Sequence, residues 1–373
     1  MHFKISKKTF YQALDRVARA ISASSPIPAL SGIKIVLLND EIQLTASDSD
    51  MSIYDVIKSD EDNQLVIYKT GSIVIEGKYI LDIVRKIDAT SLEVNSEDGY
   101  LTKISGGNTE FKINGVPTSD YPLIDFAKPE DTFVLSANEL HQMIVQTSFA
   151  TTDRENRPIL TGVNVTLENG RLTFAATDSN RLARKTLTID NENNINFIIP
   201  ASSLQKIARI IDRNTDVEVA VSDKKVQFYF EDMIIQNRLI DGIFPDTNRF
   251  IPNTYQTIIT LDSRDLLNAI GRASFIKSID GVSIVNFQIT ENNFVISSRS
   301  QEVGSSVEEI IKYTFEGEPL NISFSGKFLS EALRAIDGSD IKISFEGEMK
   351  PFVVREIEDL DTTHLILPVR TNY

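Results

Sequence analysis

The side chains that could do chemistry in this 373-residue chain are few and scattered. Its three histidines, His2, His141 and His364, lack the close spacing that lets imidazoles share a metal ion. Cysteine is absent, which excludes disulfides, thiolate nucleophiles, zinc fingers and iron–sulfur clusters and fits a reducing compartment. No Gly-Lys-Ser or Gly-Lys-Thr phosphate loop occurs. Carboxylates remain. Asp48, Asp50 and Asp178 could serve a metal-dependent hydrolase in acid–base work. They also have a plainer use, because Asp, Ser and Asn in succession turn a chain by bonding back to its own amides. Thr177-Asp178-Ser179-Asn180-Arg181-Leu182 reads as such a turn after a strand, with a surface pair between Asp178 and Arg181.

A repeating frame must position these residues. Six segments carry apolar residues at i, i+3, i+4 and i+7, the pattern of helices with one buried face. Phe10/Ala13/Leu14/Val17, Leu140/Met143/Ile144/Thr147 and Leu266/Ala269/Ile270/Ala273 each come early in one third of the chain. Ile80/Ile83/Val84/Ile87, Leu204/Ile207/Ala208/Ile211 and Leu329/Ala332/Leu333/Ile336 come later. The later helices end in Ile-Asp, at Asp88, Asp212 and Asp337, which stand 124 and 125 residues apart. That spacing is too long for solenoid units of roughly 20–50 residues, so a whole domain is repeated three times. At the place of the acidic turn the third copy has Arg299-Ser300-Gln301, so no catalytic set is kept in each repeat.

Ser136-Ala137-Asn138-Glu139 is a capping-box pattern, and Asp262 and Ser202 are expected N-caps. Gly77-Lys78-Tyr79 and Gly326-Lys327-Phe328 open the same helix in two repeats. Period-two alternation predicts strands at Ile33–Leu38, Gln43–Ala46, Val163–Leu167, Arg171–Ala175, Lys225–Phe230, Ile284–Ile289 and Phe294–Ser297. The fold class is therefore α+β, with two helices and antiparallel sheets in each repeat. Pro129 and Pro252 mark linkers, which gives domains at 1–127, 128–254 and 255–373.

Hydrophobic residues make up 41% and charged residues 24%, which suits globular domains with their own cores. The opening Met1-His2-Phe3-Lys4-Ile5-Ser6 lacks the apolar core of a signal peptide, and no stretch approaches the roughly 20 apolar residues of a membrane span. A cytoplasmic protein is expected. The net charge of −15 argues against nucleic acid when taken whole, but charge is unevenly placed. The six helical windows together carry +8, so the remainder carries −23.

Four words, in order on this threefold repeat, resemble the bacterial DNA polymerase III beta subunit family. They are Ser25-Pro26-Ile27-Pro28-Ala29-Leu30, Ala176-Thr177-Asp178-Ser179-Asn180-Arg181-Leu182, Leu239-Ile240-Asp241-Gly242-Ile243-Phe244-Pro245-Asp246 and Leu365-Ile366-Leu367-Pro368-Val369-Arg370. The resemblance covers the whole chain. It implies a DNA sliding clamp without catalysis or cofactors: a head-to-tail homodimer of clamp domains, forming a six-domain ring around duplex DNA. Helices would line the hole and sheets the rim. Such a ring holds DNA topologically, through weak contacts to phosphate rather than to bases. It keeps a bound polymerase near its template by raising effective concentration, and a separate ATP-driven loader would open it.

Carried residue by residue, the resemblance implies a partner-peptide cleft at Leu160, Thr177, Ser179, Asn180, Arg181, Leu182, Pro245, Arg249, Phe250, Met349, Leu365 and Leu367. Met349, Leu182, Leu367 and Pro245 should converge on one apolar pocket that takes short peptides from the polymerase, the loader and other replication or repair proteins. DNA-facing basics are expected at Lys7, Lys8, Arg16, Arg19, Lys78, Arg85, Lys206, Arg209, Arg213, Arg272, Lys277 and Arg334. Ser24 stands where the family often has a basic residue, and Arg154 compensates. Phe111 and Ile113 should meet Phe275 and Ile276 of a second copy. Thr371-Asn372-Tyr373 extends past the family's usual end. The readings set against this one are the hydrolase built on Asp48, Asp50 and Asp178, and a monomeric scaffold of three peptide-binding domains.

Overall fold

The structure, a computed structural model, describes residues 1–373 apart from 22–26, 61, 98–99, 155, 277–282, 301, 337, 339 and 372–373. The expectations for Ser24, Lys277, Gln301, Asp337, Asn372 and Tyr373 therefore lie outside the described residues. Among the described residues the α-helices are α1 (Lys7–Ala18), α2 (Gly77–Lys86), α3 (Ala137–Val145), α4 (Ala201–Ile210), α5 (Ser263–Ala273) and α6 (Gly326–Ala335). Each falls on a segment marked by apolar spacing. In α1 the buried residues are Phe10, Ala13, Leu14 and Val17, and in α5 Leu266, Ala269, Ile270 and Ala273 are among them.

The cap predictions divide. The Asp262 carboxylate accepts from the amides of Arg264 and Asp265 and caps α5. Ser136 directly precedes α3, with Glu139 as its third residue. Ser202 is not an N-cap: strand Ile195–Pro200 runs straight into α4, and Ser202 is already its second residue. The repeated Gly-Lys words have a steric cause. A Cβ on Gly77 would lie 2.3 Å from Ile21 Cδ1, and one on Gly326 would lie 2.4 Å from Ser274 Oγ. In both places the start of the second helix abuts the chain leaving the first, which leaves no room for a side chain.

The chain forms two compact units. The first comprises Met1–Asn138 and Arg209–Leu239. Its eight-stranded antiparallel sheet runs Asp131–Ser136, Asp216–Val221, Lys225–Phe230, Met233–Arg238, Met51–Lys58, Glu41–Ser47, Gly32–Leu37, Gly71–Glu76. A five-stranded sheet runs Val66–Lys69, His2–Ser6, Ser91–Ser96, Leu101–Gly106, Thr109–Asn114. Helices α1 and α2 pack on each other and on the larger sheet. That sheet joins strands from two thirds of the sequence, since Met233 pairs with Asp55 and Asn237 with Met51.

The second unit comprises Glu139–Ala208 and Ile240–Tyr373. Its nine-stranded sheet runs Ile195–Pro200, Gly162–Glu168, Arg171–Thr177, Arg181–Thr188, Thr362–Ile366, Phe352–Glu356, Asp340–Phe345, Thr257–Asp262, Thr314–Gly317. Here Leu182 pairs with Leu365 and Ala183 with His364, so strands of the middle and last thirds again share a sheet. A four-stranded sheet runs Gly304–Ile310, Phe294–Ser300, Ile284–Ile289, Leu320–Ser325. The core contains Phe287, Phe294, Phe324, Phe345 and Phe352, all fully buried. Phe287 meets Phe294 and Phe324 edge-on at 4.9 and 4.7 Å between ring centres.

Candidate functional site

The acidic words fold into the same turn twice. In Ser47–Met51 the Asp48 carboxylate accepts from the amides of Asp50 (3.1 Å) and Met51 (2.7 Å), and Ser47 Oγ accepts from Ser49. In Thr177–Arg181 the Asp178 carboxylate accepts from Asn180 (2.8 Å) and Arg181 (3.1 Å), and Thr177 Oγ1 accepts from Ser179. The middle serines sit at φ of 81° and 78°, left-handed backbone that these bonds hold in place. Asp48 and Asp178 thus act as turn acceptors within separate units. Among the described residues no group of three or more His, Asp or Glu could hold a metal. The hydrolase constellation is not formed.

Arg181 corrects one expectation. It does not stand as a polar anchor in an open cleft, nor in a surface pair, for it is only 6% exposed. Its Nε donates to Asp178 (3.0 Å), Nη1 to Glu331 on α6 and Nη2 to the Phe149 carbonyl (2.6 Å). The guanidinium also lies 4.6 Å from the Phe328 ring centre and 5.4 Å from that of Phe149. It is a structural tie.

Three of the residues expected at the cleft, Leu182, Leu365 and Leu367, pack together. Leu182, Leu365 and Val353 form a buried apolar cluster, with Leu367, Ile251 and Tyr255 half-buried against it. The Leu367 amide donates to the Asn180 carbonyl at 2.9 Å, which fixes the terminal strand to the turn. Leu160 is buried at the short 3-10 turn Pro158–Thr161, and Thr177 donates its hydroxyl to the Arg181 carbonyl. Ser179 accepts from Arg157 at 3.0 Å. Met349, 53% exposed, lines a polar cavity of about 590 Å³ with Glu348, Arg370 and Thr371. Pro245 lines a different one of about 480 Å³ with Arg184 and Asn248. Phe250 and Arg249 are exposed, and Arg249 is paired with Asp246 at 2.9 Å.

The basic residues also divide. Lys7 does not reach outward: its ammonium donates to the carbonyls of Arg85 (3.1 Å) and Ile87 (2.5 Å), closing the C-terminal end of α2. Arg16 pairs with Asp55 at 2.7 Å, Arg19 with Asp15 at 2.9 Å, Arg85 with Asp82 at 2.5 Å and Arg272 with Glu308. Burial pushes the Asp55 carboxyl above its ordinary pKa, and Arg16 partly offsets that. Lys8, Lys78, Arg154, Arg209, Arg213 and Arg334 are exposed, and Lys206 is half-buried on α4.

Two features relevant to assembly escaped the sequence reading. Strand Thr109–Asn114, which carries Phe111 and Ile113 on its half-buried face, is an edge of its sheet. Strand Gly304–Ile310 is an edge in the second unit, with Val307 and the neighbouring Val303 and Ile311 exposed. Their alternating pattern is a strand signal, but edges are invisible until pairing is known. Phe275, 81% exposed, and half-buried Ile276 follow α5.

The chain is similar to known proteins along its whole length. Residues 1–125, 134–246 and 248–370 match the N-terminal, central and C-terminal domains of the DNA polymerase III beta subunit. The beta sliding clamp of Bacillus subtilis is 37% identical over 377 residues, covering all of both chains. That of Staphylococcus epidermidis is 34% identical over 375, again with complete coverage. The crystal structure of the DNA polymerase sliding clamp from Bacillus subtilis superposes with a TM-score of 0.94 at 36% identity, covering 100% of this chain and 99% of that one. The DNA polymerase III beta chain of Streptococcus pneumoniae gives 0.94 at 32%, covering 99% and 100%.

Proposed function

The chain belongs to the DNA polymerase III beta subunit family and is a DNA sliding clamp, a processivity factor rather than a catalyst, and from that premise we propose that it works in the cytoplasm as a head-to-tail homodimer closed around duplex DNA. One observation carries the dimer: among the described residues each unit has a sheet that ends in a strand with one open edge, flanked by accessible or half-buried apolar side chains. Thr109–Asn114 of one copy pairs with Gly304–Ile310 of the other, with Phe111 and Ile113 against Phe275 and Ile276. Each such junction satisfies backbone groups that an isolated chain leaves to water.

The exposed cations Lys8, Lys78, Arg85, Arg209, Arg213 and Arg334 face the phosphates of the encircled DNA, with Arg154 and Lys206 near them. Arg16, Arg19, Arg85 and Arg272 already hold carboxylates, so their grip on phosphate is reduced. Loose contact lets the ring move along DNA. The acidic remainder of the chain repels DNA and keeps it in the hole. Partners, including the replicative polymerase and the clamp loader, dock short peptides on the apolar surface of Leu182, Val353, Leu365 and Leu367.

The deciding experiment is retention on nicked circular DNA after loading. The protein should survive a salt wash on the circle and leave after one double-strand cut. Equal retention on circular and linear DNA overturns the ring. In parallel, Phe275→Ala with Ile276→Ala should sediment as a folded species near 41.7 kDa rather than twice that mass.

A further inference from the structure

Two Asn-Gly steps occur in the chain, Asn114-Gly115 and Asn169-Gly170. Such a step carries its own chemistry. The glycine amide nitrogen can attack the side-chain carbonyl carbon of the asparagine, because glycine has no Cβ to obstruct the approach. The attack needs a nitrogen free to lose its proton and a peptide free to turn. The two steps differ in both respects.

Asn114 is exposed, but the glycine after it is held. Asn114 ends strand Thr109–Asn114 opposite Leu101. The Gly115 amide donates to the Tyr100 carbonyl at 2.9 Å. Directly after it, Val116 and Val74 exchange amide–carbonyl bonds of 2.9 and 3.0 Å. A Cβ on Gly115 would lie 2.6 Å from Ile73 Cδ1 and 2.8 Å from the Val74 carbonyl oxygen, so the glycine is wedged against strand Gly71–Glu76. Turning this peptide breaks three hydrogen bonds and disturbs packing.

Asn169-Gly170 is the two-residue loop between the paired Glu168 and Arg171. Its φ angles of 51° and 72° are those of a type I′ hairpin turn, which Asn-Gly suits. Asn169 is exposed and Gly170 half-buried. Among the described residues the Gly170 amide donates no hydrogen bond. Its carbonyl accepts from the Ile189 amide at 2.8 Å, the one bond that turning the peptide gives up.

We propose that Asn169 is a site of spontaneous modification, deamidation through a cyclic imide, and that the fold protects Asn114 from the same reaction. The Gly170 nitrogen bonds to Asn169 Cγ and gives its proton to solvent. The Cγ–Nδ2 bond breaks, and ammonia leaves with a proton taken from water. Water then adds to one of the two imide carbonyls. Opening on one side yields aspartate. Opening on the other yields isoaspartate, whose main chain runs through the former side chain. Water in and ammonia out complete the balance, with no change of oxidation state. Either product places a new carboxylate beside Glu168. Isoaspartate also lengthens the loop by one backbone atom, which shifts the Glu168–Arg171 pair that a two-residue turn closes. This chemistry does not depend on the ring or on peptide docking.

The test uses the full-length protein, held at mildly alkaline pH in water enriched in heavy oxygen, then digested and read by mass spectrometry. Heavy oxygen in a new carboxylate marks conversion in the intact protein rather than in the digest. In the folded protein residue 169 should convert at least about fivefold faster than residue 114, the factor given by one net amide hydrogen bond. In urea the structural difference is lost, and the two steps should convert at similar rates. Conversion at 169 should slow as pH is lowered, because the deprotonated amide is the nucleophile. Equal rates at the two steps in the folded protein, or a faster rate at 114, would overturn the assignment. So would an intact Asn169 in the folded protein over the time in which the unfolded chain converts both.

Discussion

Turns Ser47–Met51 and Thr177–Arg181 share their hydrogen bonds and their left-handed serine, yet do different work. The difference lies in the residue that follows. In the first unit it is Met51, fully buried and apolar. In the second it is Arg181, which ties the turn to α6 through Glu331 and to the Phe149 carbonyl. A short polar word fixes a local shape, and one neighbouring side chain decides whether that shape is anchored by packing or by charge. The two turns therefore act as an internal control for each other.

The largest effect should come from making the second turn resemble the first. Arg181→Met leaves Asp178, Glu331 and a carbonyl facing an apolar side chain, and should cost about 3–5 kcal/mol by denaturant unfolding. A loss below 1 kcal/mol would mean that the tie adds little over packing and that the two turns are equivalent. Acid should separate the units next. Burial pushes His364 in the second unit down to about 4 from 6.5. The folded state keeps it neutral while the unfolded chain takes a proton, so stability falls as pH drops from 6.5 towards 4, by about 3 kcal/mol in all. In the first unit the Asp55 carboxyl is shifted up, so the folded state holds that proton at least as well as the unfolded chain. Through Asp55, stability falls as pH rises from its unfolded value of 3.8 through the raised folded value. Hydrogen exchange against pH should show the second unit loosening first in acid, and His364→Gln should flatten its profile.

A smaller contrast comes from the carboxylates themselves. Asp48→Ala removes an acceptor for two amides and should cost about 1–2 kcal/mol. Asp178→Ala removes the same bonds and half of the Arg181 pairing, so it should cost measurably more. Equal losses would assign Arg181 wholly to Glu331. Least of all, Ser49→Gly and Ser179→Gly relieve the same positive φ and add the same unfolded-state entropy. Each should change Tm by no more than the equivalent of roughly 0.5 kcal/mol, with the same sign. Opposite signs would show that the two backbones are held differently despite their shared bonds.

Periodicity made all six helices legible, because a buried stripe is written into spacing. The Asp178 turn was legible because its bonds join near neighbours. Glu331, 150 residues from Arg181, had no local signal. Charge on helices could be counted, but what each cation meets could not, so Lys7 was expected to face DNA although its ammonium holds the carbonyls of Arg85 and Ile87 at the end of α2. Met349 and Pro245 share an apolar or turn-forming character with the cleft residues, yet only the fold reveals that they line separate cavities.

The sharing of sheets across thirds of the sequence has a consequence during synthesis. Strand Met51–Lys58 leaves the ribosome early, but its partner Met233–Arg238 is made about 180 residues later. At 5–20 residues per second, the nascent chain carries an open strand for roughly 10–35 s. For that interval the emerging protein offers other chains a template for pairing, and a holdase that covers residues 51–58 should raise its yield.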